Sequence, residues 1–284
     1  MLHAAGLPFL VAGLAIAWTF SAGALVLLWR AFLRELPRPA ALGALLFAGW
    51  APGLVYDYAV YPVSLLVACS LAFLHLLRRG RRVAAGLAGA AASLAYPLGT
   101  TLAIVGLLWI ALMVRRGRVR AAVATCGPPA LAFVAVLAIE RVQAGRWTAY
   151  FDVERTYDHG LHDPVGAITN AIILWHRTQS LESENVKALQ TLLVTALLLA
   201  VLASLVLRRR RLTRLEVLLG IWAVVTWAVP LTQGNISVQR SQAALAPFAV
   251  LAARLPRPVL AVAVLLTGAI SVPMARLYFN GSLV

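Results

Sequence analysis

Long apolar runs, interrupted at short intervals by clusters of arginine, set the pattern of this chain. Runs of this length predict membrane-crossing helices rather than the elements of a globular core. The clusters are Arg30/Arg34/Arg38, Arg78/Arg79/Arg81/Arg82, Arg115/Arg116/Arg118/Arg120, Arg208 to Arg211 with Arg214, and Arg254/Arg257. Basic residues gather on the cytoplasmic side of membrane proteins, so if all five clusters lie there, the chain between any two must leave that face and return. The interval 83–114 tests the rule. Its 32 residues, taken as one helix, would span ~48 Å at ~1.5 Å per residue, against a hydrocarbon core of ~30 Å. It therefore reads as a hairpin, broken at Pro97-Leu98-Gly99.

The other intervals divide in the same way. Residues 40–55 go out and 61–77 come back through Tyr56-Asp57-Tyr58-Ala59-Val60. Residues 121–139 go out and 188–207 return, and residues 215–232 go out and 241–253 return through 233–240. With 7–29 at the start and 258–275 at the end, the prediction is an all-α, polytopic transmembrane bundle of about ten crossings, a single domain over residues 1–284. Pro128-Pro129 predicts a kink in the sixth crossing. Gly86, Gly89 and Ala90 give the fourth a small-residue face for close packing.

One segment departs from the apolar pattern. Residues 140–187 form a polar stretch between the sixth and seventh crossings, on the face opposite the arginine clusters. It carries seven of the ten acidic residues and three of the five histidines. Within it Trp147, Tyr150, Phe151 and Tyr157 recur at roughly helical spacing, with Asp152, Glu154, Arg155 and Asp158 between them. That pattern suits an amphipathic helix lying in the interface, and the same helix can wall a cavity.

Composition agrees with the pattern. Hydrophobic residues make up 62% and charged residues 12% of the chain, and mean hydropathy is +0.86, outside the range of soluble domains. The net charge of +15 is explained by the topology signals between apolar runs, and no nucleic-acid partner is expected. Cys69 and Cys126 fall inside apolar runs with no ligand spacing, so neither a disulfide framework nor a metal site follows from them.

Few residues carry chemistry. Asp57 sits between two tyrosines at the outer end of a short hairpin. It is either a solvated loop carboxylate or, because a carboxylate so near hydrocarbon is costly, a functional group. Arg240 faces the same outer space and suits either an interfacial arginine or the paired hydrogen bonding of a lipid phosphate. His159 and His162 with Asp163 invite a metal reading, but Gly160 and Pro164 break the ligand geometry and no further ligands accompany them, so no metal or other cofactor is expected. No P-loop, GxSxG, HExxH or dinucleotide fingerprint occurs. Crossing interiors carry essentially no ionisable residues, which counts against ion-coupled transport.

Several stretches taken together resemble a known family. Pro52 and Tyr61-Pro62-Val63-Ser64-Leu65 open a crossing, Arg78-Arg79-Gly80-Arg81-Arg82 closes it, and Tyr96-Pro97-Leu98-Gly99 follows a small-residue helix. Further on come Gly145 to Phe151, then Arg240 followed by Pro247, and a last crossing ending Arg276-Leu277-Tyr278-Phe279-Asn280-Gly281. This order is similar to the GPI mannosyltransferases of the phosphatidylinositol-glycan class V type and their bacterial relatives, which are GT-C membrane glycosyltransferases. Val63 stands where many relatives carry glutamate and Tyr96 where many carry arginine. The resemblance implies transfer of a sugar, often mannose, from a polyprenyl-phosphate donor to an acceptor on the outer face of the cell membrane. Asp57 becomes the candidate base, and Arg240, Gln239, Tyr61, Arg155, Asp158 and His159 become candidate contacts to the lipid-phosphate sugar. A non-enzymatic carrier or scaffold for the same lipid-linked sugar is the alternative.

In the family the base lies in a first outer loop after a first helix, a segment with no counterpart here. The alternation of crossings also puts Met1 outside. Both lead to the expectation that the chain is N-terminally shortened, and that upstream DNA encodes an apolar run of ~20 residues and an acidic loop. For the topology itself, thiol labelling of single-cysteine variants from outside the cell should modify positions in 140–187 and 233–239 and none in 78–82 or 208–211. Labelling of those arginine-rich turns in intact cells would show the inside assignment to be wrong.

Overall fold

A computed structural model describes residues 8–51, 53–156, 162–178, 181–232, 240 and 245–282. Every regular element among them is helical. Helix α1, Phe9–Leu28, widens into a π turn over Trp29–Leu33. It is followed by α2 (Arg38–Gly49), the single turn α3 (Val55–Tyr58), α4 (Val63–Arg78) and α5 (Arg82–Ala95). A 3₁₀ turn, Pro97–Thr100, leads into α6 (Thr101–Met113), then α7 (Arg118–Ala144), α8 (Ala149–Thr156) and α9 (Pro164–Thr178). The chain continues with α10 (Ser183–Leu207), α11 (Arg214–Thr232), a 3₁₀ turn Ala246–Phe248 with α12 (Ala249–Ala252), and α13 (Arg257–Phe279).

Five of these stretches, Phe9–Leu33, Arg118–Ala144, Ser183–Leu207, Arg214–Thr232 and Arg257–Phe279, are long and apolar enough to cross a membrane. Arg38–Gly49, Val63–Arg78, Arg82–Ala95 and Pro97–Met113 are apolar but shorter. The protein is an all-α, multi-spanning membrane protein. Its perimeter is correspondingly apolar: Val119, Leu131, Val142 and Val272 are exposed, as side chains facing lipid are.

Small residues set the packing. Helix α5 is clasped between α4 and α7. A Cβ at Gly86 would run into the Ala124 carbonyl of α7, and one at Gly89 would press on Phe73 of α4 and Pro129 of α7. Lipid tails are as apolar as leucine, so helices in a bilayer associate through such close approach. Pro128 and Pro129 lie inside α7, which continues to Ala144, and their rings are the surfaces that Gly86 and Gly89 meet. Helix α7 stops at Gly145, whose φ of 77° closes the helix with its N–H on the Arg141 carbonyl at 3.0 Å.

The ends of the bundle differ in chemistry. At one end Arg78 stacks over Phe32, 5.8 Å from the ring centroid, joining the second arginine cluster to the first. At the same end of α11, Thr213 and Glu216 form a capping box: the Glu216 carboxylate accepts from the Thr213 backbone N–H and hydroxyl, each at 2.8 Å. The buried Glu216 also meets Arg254 at 3.3 Å and Arg208 at 3.8 Å, drawing the fourth and fifth clusters together. At the opposite ends of α4 and α13 lie Tyr61 and Tyr278.

The structure differs from the sequence reading in three places. Helix α7 runs past the predicted end at 139 to Ala144, and α10 begins at Ser183 rather than 188, so the polar segment is shorter than its composition suggests. Helix α9, which the sequence reading leaves without an element, starts where Asp163 accepts from the N–H groups of Val165 and Gly166 at 3.0 and 2.9 Å. Asp163 is thus a helix cap ahead of Pro164, whose missing N–H suits the first turn. Within 241–253, the described part is the wholly buried stretch Leu245 to Ala253. Those nine residues include the 3₁₀ turn Ala246–Phe248 and α12. They are packed inside the protein rather than against lipid.

The α5–α7 contact can be tested with two alanines. Gly86→Ala should lower the thermal unfolding midpoint in detergent, by the equivalent of about 1–3 kcal/mol of overpacking. Gly127→Ala on α7, where an added Cβ meets nothing within 4 Å, should be neutral or mildly stabilising. Equal midpoints for the two variants would contradict the close approach.

Candidate functional site

Helix α3 is a single turn, too short to hold itself, and α1 fixes it. The Ser21 hydroxyl donates to the Asp57 carbonyl at 2.7 Å and the Trp18 indole N–H to the Tyr58 carbonyl at 3.1 Å. Held in this way, Tyr56 is fully buried at the tyrosine end of the bundle. Its ring meets Tyr61 at 5.6 Å and 64°, and Tyr278 from the last turn of α13 at 5.4 Å and 85°. Edge-to-face contacts of this kind give each phenol a defined neighbour.

Arg240 sits over this cluster. Its guanidinium carbon lies 5.2 Å from the Tyr61 centroid and 5.9 Å from that of Tyr56. A cation at such range from an aromatic face gains about 0.5–2 kcal/mol, which stabilises the charge without using its N–H groups. The Arg240 Nε is buried and has no hydrogen-bond partner. Nor does any carboxylate stand within 4.0 Å of Arg240 among the described residues. The arginine is therefore held by rings while part of its donor capacity is unspent, which is the condition for receiving an anion.

A second wall comes from α5 and α8. Tyr96 stands at the end of α5, where extended backbone leads into Pro97. Burial pushes its phenol up to about 12; Tyr61, Glu154 and Tyr56 add to the shift and Arg240 opposes it. On α8, Tyr150 is pinned edge-on against Phe133 of α7 at 5.6 Å, with the half-buried Glu154 one turn further on. Burial, then Glu154 and Tyr96, raise the Tyr150 phenol as well.

Asp57 faces elsewhere. The residue is 7% exposed and its Oδ1 is buried without a partner. It lines a narrow crevice between α1 and α4 of about 20 Å³, room for about one water. Ser21, Ser64 and Tyr58 are the other polar groups there; Ala24, Leu25, Leu28, Val67 and Leu71 make the rest apolar. With no cation in the lining, burial lifts the Asp57 carboxyl to about 8.

Of the residues singled out from the sequence, Arg240 and Tyr61 come together, Asp57 lines its own crevice beside them, and Arg155 is exposed on α8. Gln239, Asp158 and His159 lie outside the described residues. The sequence reading passed over Tyr56, Tyr278 and Tyr96 as site residues and gave Glu154 no role. Its one available signal was the four-residue spacing of Tyr150 and Glu154, which puts both on one face of a helix.

The Asp57 carboxyl has a consequence for pH. A proton held up to about pH 8 in the folded state and lost near 3.8 when unfolded makes stability greatest below about 4 and lets it fall as pH rises through about 8. Thermal unfolding in detergent at pH 6 and pH 9 should show a drop for the wild type that Asp57→Asn largely removes. An equal drop in both would mean that Asp57 is ionised in the folded protein.

The chain matches no protein-family model, no curated protein and no solved structure.

Proposed function

We propose that this protein is a GT-C-like membrane glycosyltransferase that takes a sugar, mannose in the closest analogy, from a polyprenyl-phosphate donor and passes it to an acceptor at the outer face of the cell membrane. In this reading the chain makes about ten crossings, with its arginine clusters cytoplasmic and the segment 140–187 outside. The observation that carries the proposal is Arg240, held over Tyr56 and Tyr61 with its buried Nε unpartnered. A lipid phosphate at the membrane surface supplies the oxygens that guanidinium accepts in paired fashion, and the phenols of Tyr61, Tyr96 and Tyr278 offer hydroxyls to the sugar. As the sugar leaves, charge grows on the phosphate, and a fixed guanidinium stabilises that change.

One observation favours the rival reading, a non-enzymatic carrier or scaffold for the same lipid-linked sugar. The carboxylate expected as base, Asp57, is buried, opens onto a crevice that Arg240 does not line, and keeps its proton up to about pH 8. A carboxyl that holds its proton at neutral pH is a poor acceptor of another.

Binding and transfer separate the two readings. Purified protein in liposomes should bind labelled polyprenyl-phosphate mannose, and Arg240→Lys should weaken that binding about tenfold, because lysine keeps the charge and loses the bidentate geometry. Unchanged affinity in Arg240→Lys would remove the phosphate role. Transfer of label by the wild type supports the enzyme; binding without transfer supports the carrier.

A further inference from the structure

We infer that the crevice beside Asp57 is a binding site for a single dehydrated sodium ion, held by the Asp57 carboxylate with the hydroxyls of Ser21 and Ser64. The inference goes beyond the transferase reading and does not depend on it. Three helices bring the oxygens together. Ser21 of α1 gives its hydroxyl hydrogen to the Asp57 carbonyl at 2.7 Å, so the lone pairs of that oxygen are what it can offer to a cation. Ser64, 1% exposed, stands in the first turn of α4. Both line the crevice with Asp57 of α3, whose Oδ1 is buried and unpartnered. Carboxylate and hydroxyl oxygens are the ligands that hard cations take. Because they come from separate elements, no ligand spacing along the chain announces the site.

Charge and size choose the ion. A buried carboxylate is costly unless a proton or a cation neutralises it. The protein supplies no cation here: no arginine, lysine or histidine lines the crevice, and Tyr58 is the other ionisable side chain in its wall. Helix α1 carries no ionisable residue, α2 has Arg38 only at its start, and α4 has Cys69 outside the lining and His75 and Arg78 in its last turn. Helix α13 brings Tyr278 against Tyr56, but neither Tyr278 nor Arg276 reaches the crevice, and nor does Arg240. One carboxylate balances one positive charge, so a divalent ion would leave net charge among Ala24, Leu25, Leu28, Val67 and Leu71. The space of about 20 Å³ admits about one water, so an ion enters without its hydration shell. Magnesium gives up its waters reluctantly, and sodium, smaller than a water molecule, fits more closely than potassium. A bound ion ties the single turn α3 to α1 and α4 through the Asp57 side chain, in addition to the backbone carbonyl that Ser21 holds.

The test uses full-length wild type, Asp57→Asn and Ser64→Ala in detergent at pH 9, where protons compete least, with sodium chloride replacing choline chloride at constant ionic strength. Bound radioactive sodium and the thermal unfolding midpoint are measured separately. Wild type should bind a single sodium per chain, and its midpoint should rise by about 2–5 °C for each tenfold increase in sodium above the dissociation constant. Sodium should thereby restore stability that the wild type loses between pH 6 and pH 9 in sodium-free buffer. Asp57→Asn should bind no sodium and show no such rise. Ser64→Ala should bind about tenfold more weakly, and potassium should displace sodium at least about tenfold less well than sodium itself. A wild-type midpoint indifferent to sodium, with none bound, overturns the inference and leaves Asp57 to a proton alone. A sodium response that Asp57→Asn retains also overturns it, since the ion would then sit elsewhere. Potassium as effective as sodium overturns the assignment to sodium. If Asp57→Asn does not fold, Ser64→Ala decides: weakened sodium binding supports the site, and affinity equal to wild type overturns it.

Discussion

The close approach of α5 to α7 is the contact on which the arrangement of this bundle depends. Burying a leucine against another leucine gains little when the alternative neighbour is a lipid tail, so affinity between helices has to come from backbones that nearly touch. Gly86 and Gly89 supply that approach, and Pro128 and Pro129 supply the rigid surface approached. Helix α5 thereby fixes the distance between α4, which ends in the arginine cluster, and α7, which carries Phe133 under Tyr150. Because Tyr96 is the next residue after α5, the same contact also sets where its phenol stands.

Much of this architecture is legible from residue patterns. Arginine clusters separated by apolar runs specify a multi-spanning helical protein. The break at Pro97-Leu98-Gly99 appears as the 3₁₀ turn Pro97–Thr100, and the aromatic repeat after Trp147 appears as α8. What resists reading is what depends on three-dimensional neighbours. Helix α9 follows from an Asp-Pro cap that looks like part of a histidine cluster when read along the chain. The stretch Leu245 to Ala253 has the hydropathy of a crossing, yet it is enclosed by protein, and hydropathy does not distinguish a lipid-facing helix from a buried one.

The site divides in the same way. Arg240 stands out in the sequence because it is a lone cation next to an apolar run, and the structure gives it the aromatic setting that makes a charge tolerable there. Asp57 stands out for the same reason, but spacing says nothing about which way its side chain points. The carboxyl turns between α1 and α4, where burial raises its pKa, and that orientation depends on Ser21, 36 residues before Asp57, and on Trp18, 40 residues before the Tyr58 that it holds.

Glu216 ties Arg254 to the arginine end of the bundle, while Arg240, fourteen positions earlier, reaches the tyrosine end. Between them, the stretch Leu245 to Ala253 is wholly buried. Such a segment behaves as a ruler. Side chains along it can be exchanged for others of similar size, but adding or removing a single residue would put every buried side chain beyond that point out of register with its neighbours. From Leu245 to Ala253, chain length is a tighter constraint than residue identity.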